Sequence, residues 1–398
     1  MDITIRPKKL RGAVKAIPSK SQAHRLLICA AFADNPTEIF CPQTNEDITA
    51  TANCLEALGA KIQYKDDKYR VQPVAAVPRT AMLPCGESGS TLRFIVPIVG
   101  ALGVDATFVL AGRLPKRPLS PLWEEMERMG CSLSRPTENT IRCTGKLQSG
   151  EYTIPGNISS QYISGLMFAL PVLPGESTIN ITGKLESAPY VQMTQAALSQ
   201  FGIRTDDFRL SGTQTPHSPA VVSVEGDWSN AAFFLAAARM GSSVTVTGLD
   251  KRSFQGDRAV TALLHKLDDA CVISAADVPD LIPILAVAAA SKKGATFTDI
   301  SRLRLKESDR VETVCQMLRQ FGCMTQTTEN TLTVYPAKFT GGTVDSAADH
   351  RIAMAAAIAA TVATGPVTIL GADCVSKSYP AFWDVYKELG GDYEQHIR

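Results

Sequence analysis

Lys20, Ser21 and Arg25 stand at the mouth of the apolar run LLICAAFA, and their spacing brings both cations to one side of the first turns of a helix. Free N–H groups and the helix dipole already favour negative charge at such a start, so cations placed there point to anion binding. GESGSTLRF repeats the design, with Gly86 and Gly89 admitting close backbone approach beside Ser90, Thr91 and Arg93. In GRLPKRPLSPL, prolines confine Arg113, Lys116 and Arg117. GNISSQYISG offers Ser159, Ser160 and Gln161 as neutral donors, and ESAPY adds Ser187 and Tyr190. Plain N-capping also accounts for the paired serines.

The second half supplies the carboxylates. Asp280 follows Pro279 and precedes LIPILAVAAA; because Asp277 is able to cap, Asp280 is left as a candidate general base. RLRLKESDR crowds Arg302, Arg304, Lys306, Glu307, Asp309 and Arg310, a composition that implies a salt-bridge network. Asp349, His350 and Arg351 open the most alanine-rich helix, and SKSYP sets Lys377 in a late loop; His350 fits a capping role. Cations outnumber acid/base candidates, which predicts small substrates carrying several negative charges. A P-loop, a dinucleotide fingerprint, an H-E-x-x-H pair and a G-x-S-x-G elbow are all missing from the sequence, which disfavours nucleotide, metal and acyl-enzyme chemistry. No cofactor is expected.

The elements that must position these residues repeat. Six stretches, opening at Ser19, Ser88, Ser159, Asp227, Asp277 and Asp349, each pass from a polar entrance into small and apolar residues, at intervals of roughly 50 to 70 residues. None reaches the ~20 apolar residues of a membrane span, so they read as core helices. Alternating segments such as TFVLAG, STINITG, SVTVTG and PVTILG read as strands. NEDITATANCLEALGA, SPLWEEMERMG and DRVETVCQMLRQFG read as amphipathic outer helices closing at glycine. With 398 residues the chain accommodates two domains of three repeats, crossing near TQTPHSPAVVSVEGD: residues 18–224 inserted into a domain made of 1–17 and 225–398. Forty Lys and Arg against 39 Asp and Glu leave no basic field for nucleic acid. Ten scattered cysteines without a C-x-x-C pair predict reduced thiols serving as small apolar residues. The charged amino-terminal segment lacks the apolar stretch of a signal peptide, so a cytoplasmic protein is expected, with no membrane partner.

PSKSQAHR, GESGSTLR, KRPLSPL, GNISSQY, VEGD, PDLIP, LKESDR, DHRIAM and SKSYP, in this order along the whole chain, closely resemble the EPSP synthase family of enolpyruvyl transferases. The resemblance implies an inside-out α/β fold of two domains, with three βαβαββ units in each and helix starts facing an interdomain cleft that holds the active site. It implies transfer of the enolpyruvyl group of phosphoenolpyruvate to the 5-hydroxyl of shikimate 3-phosphate, without metal or organic cofactor. Matched motif by motif, Lys20, Gly89, Arg117, Gln161, Arg310, Arg351 and Lys377 would hold phosphoenolpyruvate. Ser21, Arg25, Ser159, Ser160, Ser187, Asp280 and Lys306 would hold the phosphoshikimate, with Tyr190 beside its ring. Asp280 would take the hydroxyl proton, and Glu307, helped by Lys20, would protonate the methylene carbon.

Glu87 and Arg302 depart from the pattern: many relatives carry Asn at the first position and some carry Asn at the second. A carboxylate beside phosphate is repulsive unless paired, so Glu87 is expected to turn away from ligand and onto a cation. Gly89 keeps the small residue of glyphosate-sensitive relatives, so inhibition competitive with phosphoenolpyruvate is expected. Facing cations predict an open free protein that anions close. The rival within the fold transfers the same group to UDP-N-acetylglucosamine; that family uses a loop cysteine, which GRLPKRP lacks. A non-catalytic anion binder would be better without Asp280 and Glu307. A monomer is expected.

Overall fold

The computed structural model describes residues 1–396. The chain forms two compact units: Pro18–Glu225, and Met1–Ile17 together with the chain from Gly226 onward. Glu225 falls in the inserted unit because its carbonyl accepts from Ser19 N (2.8 Å) and its N–H donates to Gln22 Oε1 (2.6 Å). Each unit has its own apolar core, and the two cores share no residue.

The inserted unit carries helices α1 (Lys20–Ala31), α2 (Glu46–Ala57), α3 (Gly89–Leu102), α4 (Leu122–Arg128), α5 (Ser160–Ala169) and α6 (Ala188–Gln200). Helices α1, α3 and α5 are buried along almost their whole length, as their apolar sequences require. Side-chain caps start all three: Ser19 accepts from Gln22 N, Ser88 from Thr91 N and Ser159 from Gln161 N. Helices α3 and α5 meet at Gly165, where an added Cβ would run into the Arg93 carbonyl and reach Pro97 at 3.1 Å. Three sheets surround them. The most regular repeat runs Thr80–Gly86, α3, Asp105–Leu110, α4, Cys131–Thr137 and Thr140–Gly145, with the first two strands parallel and the others antiparallel.

The other unit carries α7 (Trp228–Arg239), α8 (Val260–Lys266), α9 (Ile282–Ala290), α10 (Arg310–Gln320), α11 (His350–Ala360) and α12 (Phe382–Glu388). Here α7, α9 and α11 are the buried helices, and Asp227 and Asp349 cap the first and last. The sheet Gly342–Asp345, Val367–Leu370, Asp2–Arg6, Asp392–His396 sews the amino terminus into this unit, pairing Ile3 with Ile369 and with Gln395. Arg11–Lys15 pairs in parallel with Ser243–Thr247.

Two repeats fall short of four strands. The repeat of α7 and α8 has a two-stranded sheet, because the chain after Thr247 folds into turns that lead directly to α8. The repeat of α5 and α6 ends in the two-residue strand Arg209–Leu210, preceded by left-handed backbone at Asp207 and Phe208 (φ 41° and 68°). All ten cysteines are free and eight are buried, so they serve the cores as small apolar groups. Among the described residues no helix is long and apolar enough to cross a membrane.

Candidate active site

In the inserted unit the starts of the buried helices are knit together by polar side chains. Lys20, the first residue of α1, pairs through Nζ with Asp47 Oδ2 (2.7 Å) in the first turn of α2. Arg25 is 2% exposed and spends three of its N–H groups within the unit. Its Nε donates to Thr194 Oγ1 (2.8 Å), Nη1 to the Ser21 carbonyl (2.5 Å) and Nη2 to the Tyr190 carbonyl (2.8 Å). Its guanidinium also lies 5.0 Å from the Phe94 ring centroid. Burial lowers its pKa to about 10, still far above neutrality, so the charge is kept. Arg25 thus ties α1 to α6 while holding positive charge beside Ser21 and Tyr190.

Gly89 opens α3 in the narrowest space of this cluster. A Cβ there would lie 2.6 Å from Arg93 Nη1 and 2.7 Å from Arg117 Nη1, so two guanidiniums converge on its backbone. Arg93 is anchored by donating to the Gly89 carbonyl (3.2 Å) and the Pro118 carbonyl (2.8 Å), and Tyr162 Oη donates to the same Pro118 oxygen. Gln161 Nε2 donates to Ser90 Oγ (3.0 Å), tying α5 to α3. Ser159 caps α5, while Ser160 and Gln161 occupy its first turn. Ser187 is buried before α6 with left-handed backbone (φ 56°), and its carbonyl accepts from Tyr190 N (3.0 Å). The Glu87 carboxylate lies against Gly112, where an added Cβ would collide with it. The arrangement gathers backbone amides, hydroxyls and guanidiniums, which is chemistry suited to oxyanions.

In the other unit the organising group is Arg310, at the start of α10 and about 1% exposed. Its three nitrogens reach three carboxylates. Nη1 donates to Asp280 Oδ1 (2.8 Å), Nε to Asp349 Oδ2 (3.0 Å), and Nη2 to Glu307 Oε2. Asp349 also caps α11 through Arg351 N (3.0 Å) and accepts from Ser308 Oγ (2.9 Å). Arg351 Nη2 donates to Asp280 Oδ2 (3.0 Å), its Nη1 to Ser229 Oγ (2.5 Å), and Lys306 Nζ lies 3.6 Å from Asp280 Oδ1. Lys377 Nζ donates to the Ala348 carbonyl (3.2 Å), next to the Asp349 cap. Arg302 lies close enough to Lys306 for its charge to be felt there.

Electrostatics follow from this packing. Burial pushes the Asp280 carboxyl upward, but Arg351, Lys306 and Arg310 together outweigh it and hold the pKa well below the ordinary value. Burial lowers Lys306 to about 8, against the pull of Asp280. Burial also works against the charge on Arg310, yet Asp349, Glu307 and Asp280 raise its pKa. Asp280 is therefore a carboxylate across the neutral range, with about a fifth of its side chain exposed. An arriving anion meets Arg310 and Arg351 already engaged, and must compete with Asp280 for them.

Lys306, Glu307, Arg310, Arg351 and Asp280 were all legible as candidates, and they form one cluster with Lys377 at its edge. Asp280 caps no helix: α9 begins two residues later, without a side-chain cap bond. Sequence reasoning missed Asp47, Thr194, Ser229, Asp257 and Ser308, the side chains that hold or flank the charged groups. Asp47 carried a usable signal, since an acidic first turn on an amphipathic helix is a ready partner for a neighbouring lysine; the others look like any polar residue in a helix or turn.

The EPSP synthase (3-phosphoshikimate 1-carboxyvinyltransferase) family profile matches residues 5–278 and 270–386 of this chain. A 3-phosphoshikimate 1-carboxyvinyltransferase of Clostridium perfringens is 38% identical, with 98% of each chain covered. One from Clostridium kluyveri is 36% identical, covering 99% of this chain and 98% of its own. The solved structure of EPSP synthase from Acinetobacter baumannii superposes with a TM-score of 0.80 at 23% identity, covering 99% of this chain and all of that one. At that identity the likeness speaks for the fold, which is the same two-unit α/β architecture.

Proposed function

This chain belongs to the EPSP synthase (3-phosphoshikimate 1-carboxyvinyltransferase) family, and from that membership we infer that it transfers the enolpyruvyl group of phosphoenolpyruvate to the 5-hydroxyl of shikimate 3-phosphate. Phosphate is the second product, and the reaction serves the shikimate pathway of aromatic amino-acid biosynthesis. The observation that carries the chemistry is Asp280 and Glu307 sharing Arg310, with Arg351 and Lys306 on the same Asp280 carboxylate.

Asp280 accepts the 5-hydroxyl proton as that oxygen bonds to C2 of phosphoenolpyruvate, and Glu307 gives a proton to the methylene carbon. The tetrahedral adduct then returns a proton from that methyl carbon to Glu307 and releases its phosphate, which takes up the proton held by Asp280, so the double bond and both carboxyl groups are restored. The cations that surround Asp280 weaken it as a base. A substrate phosphate or carboxylate that draws Arg310 and Arg351 to itself lifts that restraint, so anion arrival and base strength are coupled. The reading assigns phosphoenolpyruvate to Lys20, Gly89, Arg117, Gln161, Arg310, Arg351 and Lys377. It assigns shikimate 3-phosphate to Ser21, Arg25, Ser159, Ser160, Ser187, Tyr190, Asp280 and Lys306. The proposed state is a cytoplasmic monomer.

The test is phosphate release from phosphoenolpyruvate with shikimate 3-phosphate, with UDP-N-acetylglucosamine, and with no acceptor. Release that requires shikimate 3-phosphate and drops on the order of 10² or more in Asp280→Ala supports both reaction and base. Release with the sugar nucleotide alone overturns the substrate, and silence in all three overturns the activity.

A further inference from the structure

His24 holds none of the assigned roles, yet its side chain is completely buried on α1 and heads an unbroken line of hydrogen bonds across three helices. Its Nδ1 lies 2.6 Å from Thr51 Oγ1 on α2, Thr51 Oγ1 lies 2.6 Å from Thr91 Oγ1 on α3, and Thr91 Oγ1 donates to Ser88 Oγ at 2.7 Å. Ser88 is the cap of α3, and the same oxygen accepts from Thr91 N (3.3 Å). All four side chains are buried, so solvent does not compete along the line. The line ends one residue before Gly89, on which the guanidiniums of Arg93 and Arg117 converge.

The direction of the line follows from its far end. Burial lowers the His24 pKa to about 3, against the pull of Asp47 and with Lys20 and Arg25 adding to it, so the ring is neutral near neutrality and carries one N–H. Its Nε2 is buried and meets no hydrogen-bonding partner among the described residues. A proton on Nε2 would bury a donor without an acceptor, whereas a proton on Nδ1 leaves only a bare lone pair there, the less costly of the two. A hydroxyl has one hydrogen and two acceptor sites. With the ring proton on Nδ1, His24 donates to Thr51, Thr51 to Thr91 and Thr91 to Ser88, whose oxygen then has both acceptor sites filled. That fixes the rotamer of the cap, and with it the amides of Gly89 and Ser90, first-turn N–H groups that have no acceptor within the helix and suit an anion. We propose that His24 is a positioning residue which, as the Nδ1–H tautomer, holds the Ser88 cap through Thr51 and Thr91 and so sets where the first amides of α3 meet phosphoenolpyruvate. This rests on the assignment of Gly89 to that substrate.

The hydroxyl and the methyl of Thr51 can be removed separately, which tells a relay from packing. The experiment measures KM for phosphoenolpyruvate and kcat in the full chain for wild type, Thr51→Val, Thr51→Ser, His24→Asn and His24→Leu, with nitrogen–proton correlation spectra of the imidazole and of the Gly89 and Ser90 amides. Thr51→Val keeps the shape and breaks the line, so KM should rise about fivefold with kcat within about threefold, the equivalent of one hydrogen bond between neutral groups. Thr51→Ser keeps the hydroxyl and should stay within about twofold of wild type, the reverse of the order that loss of packing would give. His24→Asn, whose amide takes the place of Nδ1, should behave as wild type. His24→Leu should match Thr51→Val, and the two combined should be no worse than either alone. The spectra should show the ring proton on Nδ1, and the Gly89 and Ser90 signals should move in Thr51→Val but not in Thr51→Ser. A ring proton on Nε2, or a KM that is unchanged in Thr51→Val or rises more in Thr51→Ser, overturns the proposal. Thr51→Val tests it even if His24→Leu fails to fold. If wild type releases no phosphate, the assigned reaction fails, and the tautomer and the amide shifts still decide the role of His24.

Discussion

At the residue scale, Asp280 has two effects that oppose each other. It is the assigned base, and it is also an internal anion occupying Arg310 and Arg351. Asp280→Asn keeps the shape and removes the charge, so turnover should fall by on the order of 10² or more. Phosphoenolpyruvate binding, read by calorimetry, should hold or tighten, because the competitor is gone. Weaker binding in that variant would mean that the carboxylate arranges the cations rather than competing for them. Gly89 gives a second prediction. In Gly89→Ala the new methyl meets the far ends of Arg93 and Arg117, which are flexible enough to move. The melting temperature should change by a few degrees at most, while KM for phosphoenolpyruvate rises about tenfold, the equivalent of one good hydrogen bond to a charged group. An unchanged KM would remove Arg117 from the substrate assignment.

At the scale of elements, the buried helices were legible because their signals are local: an unbroken apolar run, opened in five of the six by a capping Ser or Asp, while α9 starts without the cap expected from Asp277. The strand segments were legible too, but not their partners. Ile3 pairs with Ile369, and Val221–Ser223 pairs in parallel with Thr37–Phe40, choices that depend on packing between distant segments rather than on alternation. The same limit explains why RLRLKESDR read as a network without revealing that Arg310 would be its centre. That role depends on Asp349 and Asp280 being brought to it by two other helices. Gly165 was likewise unremarkable in sequence, yet it sets how closely α5 approaches α3, the pair that carries Gln161 and Gly89. Gly165→Val should destabilise the inserted unit by about 1–3 kcal/mol in urea unfolding, the usual cost of overpacking. It should also raise KM for phosphoenolpyruvate, since Gln161 moves with α5. A stable variant with normal KM would show that the helices separate without disturbing either residue.

At the scale of the whole molecule, the chain crosses between the two units twice, at Ile17–Pro18 and at Glu225–Gly226. Asp227 N donates to the Ile17 carbonyl, and Ser19 N donates to the Glu225 carbonyl, each at 2.8 Å, so each unit closes its own ends. The inserted unit is continuous in sequence and has a separate core, so residues 18–225 should fold when expressed alone, with a cooperative urea transition. That fragment isolates a pH effect set by His24. The imidazole is completely buried among α1, α2 and α3, with Nδ1 2.6 Å from Thr51 Oγ1, and burial lowers its pKa from 6.5 to about 3. The unfolded chain therefore binds a proton between these values that the folded unit refuses. Stability is full above pH 6.5 and is lost as pH falls toward 3. Between pH 6.5 and 5, wild type should lose about 1.5 kcal/mol more than His24→Gln, whose amide stays neutral and whose carboxylates are otherwise the same. Urea midpoints of the two fragments across this range give the answer directly. Parallel curves would mean that His24 takes up its proton without unfolding the unit, by opening the α1–α2–α3 contact around it.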